Sequence, residues 1–322
     1  MVLFNQACQR GNEASGAGAP TGYPEIDQAT EAIRANPDKA TAYLDRAEAY
    51  ILYESYDQAI TDLKQAIRLD SNLVDAWHLM ADAYLDYYNS RMAMNTLYEA
   101  AERFPNRVPT LLKLTEYQYI LTLTVAAEKT IERILSLDPL NAEAWFWRGM
   151  IARDAEKNTE AIQAFQKATE LDPFLTDAWI ECGKLLSKEG KPIALRFFQT
   201  AVQLDSLNAP AWHALAEYHQ DQNNLDAALE TYRELVRLNP LYPDAYYNSG
   251  LIWLERDSLG LSKTQFDLAL KVDPTFARAY LARGNVLELQ KDLVAARRDY
   301  EQALILDPNL TQASQALDRM DQ

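Results

Sequence analysis

Residues 142–173 read AEAWFWRGMIARDAEKNTEAIQAFQKATELDP. Trp145 and Gly149 stand four residues apart and share one face of a helix, and Ala161 and Phe165 repeat that spacing in a second helix. Pro173 ends the second helix, because proline has no amide hydrogen and its ring disfavours a helical residue before it. The stretch therefore reads as two short helices, each with a small residue one turn from a ring.

The same landmarks return on either side of this stretch. Pro37, Pro105, Pro139, Pro173, Pro240, Pro274 and Pro308, together with Ser71 and Ser206 in the same local context, are spaced by 34 residues, with one interval of 33 between Pro173 and Ser206. Seven of the 13 prolines fall on this phase, which chance spacing does not produce. Setting each mark as position 32 of a 34-residue unit fills the other columns. Position 8 is small throughout: Ala47, Ala81, Thr115, Gly149, Gly183, Ala216, Gly250 and Gly284. Position 20 is Ala59, Ala93, Ala127, Ala161, Ala194, Ala228, Ser262 and Ala296, with one deletion allowed in the fifth unit. Position 4 carries Tyr, Trp or, once, Leu111, and position 24 is always bulky, from Leu63 to Tyr300.

These columns resemble the tetratricopeptide repeat, whose W-x2-L-G-x2-Y, A-x3-F and P signature has this period. The resemblance covers Ala40 to Pro308 as eight full units, with a half-unit at each side. It implies an all-α fold: a right-handed superhelical solenoid of antiparallel helix pairs, eight 34-residue repeats plus terminal helices, about 18 helices in all. Residues 1–22 are expected to be a disordered tail, 23–39 an N-terminal capping helix, 40–308 the repeats and 309–322 a C-terminal capping helix. The physical logic agrees with the resemblance. Small residues at positions 8 and 20 let the paired helices approach closely, and the position-4 ring fills the space beside them. Position 16 is Ser55, Asn89, Asn224, Ser258 or Asp292 in five units, residue types whose oxygens cap the amides opening a helix. One unit buries too little apolar surface to offset its own ordering entropy, so stacking on neighbours is required.

Two units depart from the pattern. Unit three has Gln118 at position 11 and an uncapped apolar connection, Leu121-Thr122-Leu123-Thr124, which fits either a drifted repeat or an exposed docking patch. Unit five loses a residue near Lys188-Glu189-Gly190-Lys191-Pro192, and Pro192 suits the first turn of the helix that follows.

Composition narrows the function. The 322 residues carry 47 acids against 31 Lys and Arg, a formal charge of −16, the wrong sign for contacts to nucleic-acid phosphates. No apolar run approaches the roughly 20 residues of a transmembrane helix. Cys8 and Cys182 could form one disulfide at most. There is no phosphate-binding glycine loop, and His78, His213 and His219 make no metal-ligand spacing, so no cofactor or metal is expected and no catalytic residue is assigned. His219 and Cys182 fall at core-type positions, where a packed imidazole and an inert thiol are expected.

Binding is the function the family resemblance implies. First helices of such repeats line a concave wall, with positions 2, 5, 9, 12 and 13 turned toward the groove. Those 40 positions hold thirteen acids and four bases here, a steeper ratio than in the chain as a whole. Units one to three place Leu44, Glu48, His78, Asp82, Asp86, Glu116 and Tyr119 there, with no base among them. Units four and five add Phe146, Met150, Arg153, Lys184 and Lys188. The expected activity is a noncatalytic scaffold or adaptor for a protein or peptide, with basic residues of the partner near the first units and an acidic group centrally. The alternative is a structural repeat protein that self-associates through its ends or the unit-three patch. A groove for chaperone C-terminal tails is disfavoured, since no first helix has the Lys-x3-Asn pattern that family members with that role use.

The N-terminal segment is read separately. Ala7-Cys8 behind Met1-Val2-Leu3-Phe4 looks like the end of a bacterial lipoprotein signal, followed by a Gly- and Ala-rich tether, although the basic region and most of the apolar region of such a signal are missing. An acylated Cys8 would give a lipid anchor at the cell envelope; without it the segment is an unanchored tail and the location cytoplasmic.

Overall fold

The computed structural model describes residues 21–321, and every regular element among them is an α-helix. α1 (Pro24–Ala35) opens the array and α18 (Thr311–Met320) closes it. The first helices of the eight repeats are α2 (Ala40–Leu52), α4 (Val74–Asp86), α6 (Val108–Ile120), α8 (Ala142–Asp154), α10 (Thr176–Lys188), α12 (Ala209–Asp221), α14 (Pro243–Glu255) and α16 (Ala277–Leu289). Their partners are α3 (Tyr56–Leu69), α5 (Ser90–Arg103), α7 (Thr124–Leu137), α9 (Asn158–Leu171), α11 (Ala194–Leu204), α13 (Leu225–Leu238), α15 (Leu259–Val272) and α17 (Leu293–Leu306). The 18 helices match the expected number. The chain forms two compact units that divide between Trp147 and Arg148, inside α8.

In the first unit α3 packs on α4 and α5 on α6, a second helix against the first helix of the next repeat in both cases. One continuous core results, built on Leu63, Trp77, Tyr84, Leu97, Leu111 and Ile134. The second unit stacks by the same rule, from α9 on α10 to α17 on α18. Its position-24 rings, Phe165, Phe198, Tyr232, Phe266 and Tyr300, are among the largest fully buried side chains. Four of them are matched by a glycine one helix away. A Cβ on Gly149, Gly183, Gly250 or Gly284 would stand 2.5, 2.8, 2.6 and 2.6 Å from a ring carbon of Phe165, Phe198, Phe266 and Tyr300.

The turn within each pair has a feature absent from the sequence reading. Position 15 adopts the left-handed backbone in every repeat, with φ between 53° and 70° from Glu54 to Lys291, yet it is glycine only at Gly190. The turn is held by amides reaching back across the helix end, such as Ser55 N–H to Tyr50 O at 2.8 Å and Asn89 N–H to Tyr84 O at 2.7 Å. Three of the five expected caps form: Asn89, Asn224 and Asp292 accept from the amides of Met92, Ala227 and Ala295. Ser55 and Ser258 do not cap; their hydroxyls turn back to the carbonyls of Tyr53 and Arg256, both at 3.4 Å. Pro192 also differs from expectation, lying in a tight turn two residues ahead of α11 rather than in its first turn.

The turn between repeats is fixed by the position-4 indole. Trp77, Trp145, Trp179 and Trp212 each donate Nε1–H to the carbonyl of Ser71, Pro139, Pro173 and Ser206, at 3.1, 3.1, 2.9 and 3.0 Å. A backbone oxygen accepts in each case, which is why serine serves there as well as proline. Unit three packs like its neighbours, with Gln118 buried and accepting from Thr130 Oγ1 at 2.8 Å. Its connection nevertheless leaves Ile120, Leu123 and Val125 exposed, so the drift is absorbed inside and the apolar patch is present outside.

Candidate functional site

Where first helices of consecutive repeats meet, His78, Asp82 and Arg153 at positions 5, 9 and 12 reach Thr110, Lys113, Tyr117 and Glu181 at positions 3, 6 and 10 of the next repeat. In the first compact unit His78 lies 3.0 Å from Thr110 Oγ1, and burial together with nearby Lys113 holds its imidazole below the ordinary histidine range. Asp82 accepts from Lys113 Nζ at 2.8 Å and from the Tyr117 hydroxyl. Burial and that carboxylate push the Tyr117 phenol far above its usual range, so it stays a hydrogen donor. Lys113 sits at position 6, one place outside the expected groove columns. The acid-only surface expected of units one to three is therefore corrected: Asp82 already has a cation. Leu44 is also corrected, since at 8% exposure it belongs to the core and offers a partner almost no surface. Glu48 and Asp86 are exposed and Glu116 half-buried, and none has an ion-pair partner among the described residues. Tyr119 stacks at a tilt on Trp147, with centroids 5.2 Å apart, and Phe146 meets the same indole edge-on at 5.4 Å.

In the second compact unit Met150 is half-buried, and Arg153 forms ion pairs with both Asp154 and Glu181. Lys184 Nζ takes the other Glu181 oxygen at 2.8 Å. Glu181, 14% exposed, again occupies position 6. Lys188 is exposed and has no ion pair among the described residues. A cleft of about 470 Å³ opens beside Lys184 and Lys188, but α12 lines its far side with Glu217 and Asp221. His213 Nε2, 3.0 Å from Glu217 Oε1, lowers the pKa of that carboxyl, whereas burial and then Glu217 itself raise that of Asp221. The expected cationic centre is thus corrected as well: two of its three bases share one carboxylate, and the cleft carries both signs.

The residues missed from sequence, Lys113 and Glu181, lie on the same helices as those found, whereas Glu217 and Asp221, on α12, fall in the groove columns of unit six. A charge at position 6 opposite one of unlike sign at position 9 or 12 of the preceding unit was the available signal. Cys182 is fully buried and its thiol is pushed up to about 12 by that burial. His219 is half-buried, and burial lowers its pKa. Among the described residues no group of three or more His, Cys, Asp or Glu could hold a metal ion. No described helix is long and apolar enough to cross a membrane. Cys8 and the tail lie outside the described residues.

Models of the tetratricopeptide repeat match residues 54–86, 126–175, 213–262 and 277–310, together about half of the chain. The chain belongs to the tetratricopeptide repeat family. Proteins of this family bind protein partners. Among curated relatives, the general transcriptional corepressor ssn6 of Schizosaccharomyces pombe is 25% identical over 173 residues, covering 50% of this chain and 16% of that protein. A DnaJ homolog subfamily C member 7 homolog from the same organism is 30% identical over 175 residues, 48% of this chain and 37% of that protein. The chain thus spans only a minor part of these relatives' length. Among solved structures, the APC/C hetero-tetramer Cut9-Hcn1 aligns with a TM-score of 0.59 at 16% identity, covering 91% of this chain and 58% of that one. Pseudomonas aeruginosa pilF aligns with a TM-score of 0.57 at 17% identity, over 66% of this chain and 97% of that one. Identities this low establish the shared fold alone.

Proposed function

We propose that the protein is a noncatalytic scaffold whose first compact unit holds a basic, extended segment of a partner protein along α2, α4 and α6. The observation that carries this reading is the row Glu48, Asp86 and Glu116, three carboxylates without an ion-pair partner among the described residues. Unpaired acids along one face attract a cationic segment and speed its encounter, an effect that salt screens. The Tyr119 and Trp147 rings at the end of the row offer faces for an Arg guanidinium or an apolar side chain. In the second unit, Glu217 and Asp221 opposite Lys184 and Lys188 suit a segment carrying both signs better than a purely acidic one.

Fluorescence anisotropy with labelled Lys/Arg-rich and Asp/Glu-rich peptides tests the proposal. The basic peptide should bind, lose affinity with added salt, and bind several-fold more weakly to the E48K/D86K/E116K variant. Equal binding of the two peptides, or of the variant and the parent, would defeat it. A second reading, self-association through Ile120, Leu123 and Val125, rests on the exposure of those side chains. Light scattering over a concentration series separates the two: growth in mass that Val125→Lys abolishes supports assembly, and a constant monomer mass removes it.

A further inference from the structure

On the opposite side of the first helices, position 7 faces the crevice between consecutive second helices. In repeat one Arg46 fills that crevice, forking to Asp62 at 2.6 and 2.8 Å and reaching Thr30 at 3.3 Å. In repeat eight Arg283 does the same, forking to Asp299 at 2.7 and 2.8 Å and reaching Asp267 at 2.7 Å. The register of these contacts is constant: position 23 of the same repeat and position 25 of the preceding helix.

Repeat two has the same crevice without the plug. Its positions 7 and 23 are Met80 and Thr96, and position 25 of the preceding helix is Lys64. A cleft of about 460 Å³ remains between α3 and α5, within the size range of small-molecule sites. Trp77, Met80 and Tyr84 make its floor, and Ile67 and Met92 its sides. The floor is apolar where it must be, because the Trp77 Nε1–H is already bonded to Ser71 O at 3.1 Å. Polar groups stand at the rim. Lys64 Nζ lies 5.7 Å from the centre of the Tyr84 ring, Arg68 follows one turn later, and Glu99 is on the facing helix. Neither Lys64 nor Arg68 has an ion-pair partner among the described residues. The rim is thus net cationic on a chain of net charge −16.

We propose that this crevice binds a small amphiphile with a single aliphatic chain and an anionic head, the chain lying over Met80 and the head between Lys64 and Arg68. A carboxylate there completes the cation's coordination as Asp62 and Asp299 do for the plugging arginines, while the methylenes replace the missing plug against Met and Trp side chains. This site is independent of the peptide face, which lies along positions 9, 12 and 13 of the first helices.

The test uses the full chain labelled at methionine methyl carbons, which gives six NMR signals at most, titrated with octanoate and, separately, with octylammonium and octanol. Octanoate should shift the Met80 and Met92 methyls saturably while Met150 and Met320 stay still, and it should bind at least about tenfold more tightly than octylammonium. K64E/R68E, a surface change, should invert that preference. M80R/T96D rebuilds the plug of repeats one and eight and should abolish the Met92 shift; an unchanged circular-dichroism melt certifies its fold, and if it melts early K64E/R68E decides alone. Shifts spread evenly over Met80, Met92, Met150 and Met320, the absence of any shift, or a K64E/R68E variant that still prefers octanoate would each overturn the proposal.

Discussion

Gly149→Ala isolates the contact on which the second compact unit is built. In an exposed helix, replacing Gly by Ala stabilises by about 1 kcal/mol, because the unfolded glycine chain has more freedom to lose. Here the new Cβ would stand 2.5, 2.6 and 2.9 Å from three atoms of the Phe165 ring. That ring is fully buried, so the helices must part or the ring must leave its rotamer. Overpacking of this kind costs about 1–3 kcal/mol, and set against the helix gain the net expectation is a loss of up to about 2 kcal/mol. Repeat six argues for the lower half of that range, since it accommodates Ala216 in the same core cluster as a buried Tyr232.

Phe165→Leu alone leaves a gap and should cost about 1–2 kcal/mol. The double variant copies the alanine–leucine pairs Ala47–Leu63 and Ala81–Leu97, both buried in the first unit. It should recover most of the loss, giving a coupling of at least about 1 kcal/mol in the double-mutant cycle. Repeat arrays do not always unfold in one step, so urea unfolding by circular dichroism should be read beside amide exchange in α8 and α9. Additivity within about 0.5 kcal/mol, or a Gly149→Ala chain more stable than its parent, would refute the close-approach argument.

The buried fork at Arg283 makes a second prediction: Arg283→Met, which strands Asp299 at 9% side-chain exposure, should cost about 3–5 kcal/mol, whereas R283M/D299L should fall much closer to the parent. Calorimetry on both variants checks it, and a double variant as weak as the single one would mean that the fork is no mere substitute for apolar packing. Tyr88 holds φ 56° while 97% exposed, so strain is not offset by burial, and Tyr88→Gly should stabilise by up to about 1 kcal/mol, as a urea midpoint reports. A loss of stability there would show that the phenol makes a contact that exposure does not reveal.

The 34-residue period and the small and bulky columns were legible because helix packing constrains residue size at fixed spacing, and Gly149 opposite Phe165 is that constraint in its plainest form. The left-handed position 15 was not legible. Glu54, Tyr88, Thr122 and Lys291 show that a turn closed by two backbone hydrogen bonds tolerates side chains that local preference disfavours. The hydroxyls of Ser55 and Ser258 illustrate the converse, residues of cap type whose oxygens point elsewhere. Groove residues were legible as a face and not as a charge distribution. Position 6 lies outside the five groove columns, and from there Lys113 and Glu181 enter to neutralise Asp82, Arg153 and Lys184.

The Lys113–Asp82 pair carries a prediction of opposite sign to the usual effect of losing a basic or acidic contact. Lys113 contributes a positive charge to the first unit's face, but it sits on Asp82, with side chains 23% and 37% exposed. If the face receives a cationic segment, Lys113 competes with that segment for the Asp82 carboxylate. Lys113→Met keeps the aliphatic stem over the Tyr117 ring, from whose centre the ammonium now lies 5.7 Å, and removes only the competing charge. A partly exposed pair is worth about 0.2–1 kcal/mol, so affinity for a Lys/Arg-rich peptide should rise by up to about fivefold, with a steeper dependence on salt. Weaker binding in Lys113→Met at unchanged thermal stability would mean that the lysine itself contacts the partner, and the cationic-segment reading of this face would have to be given up.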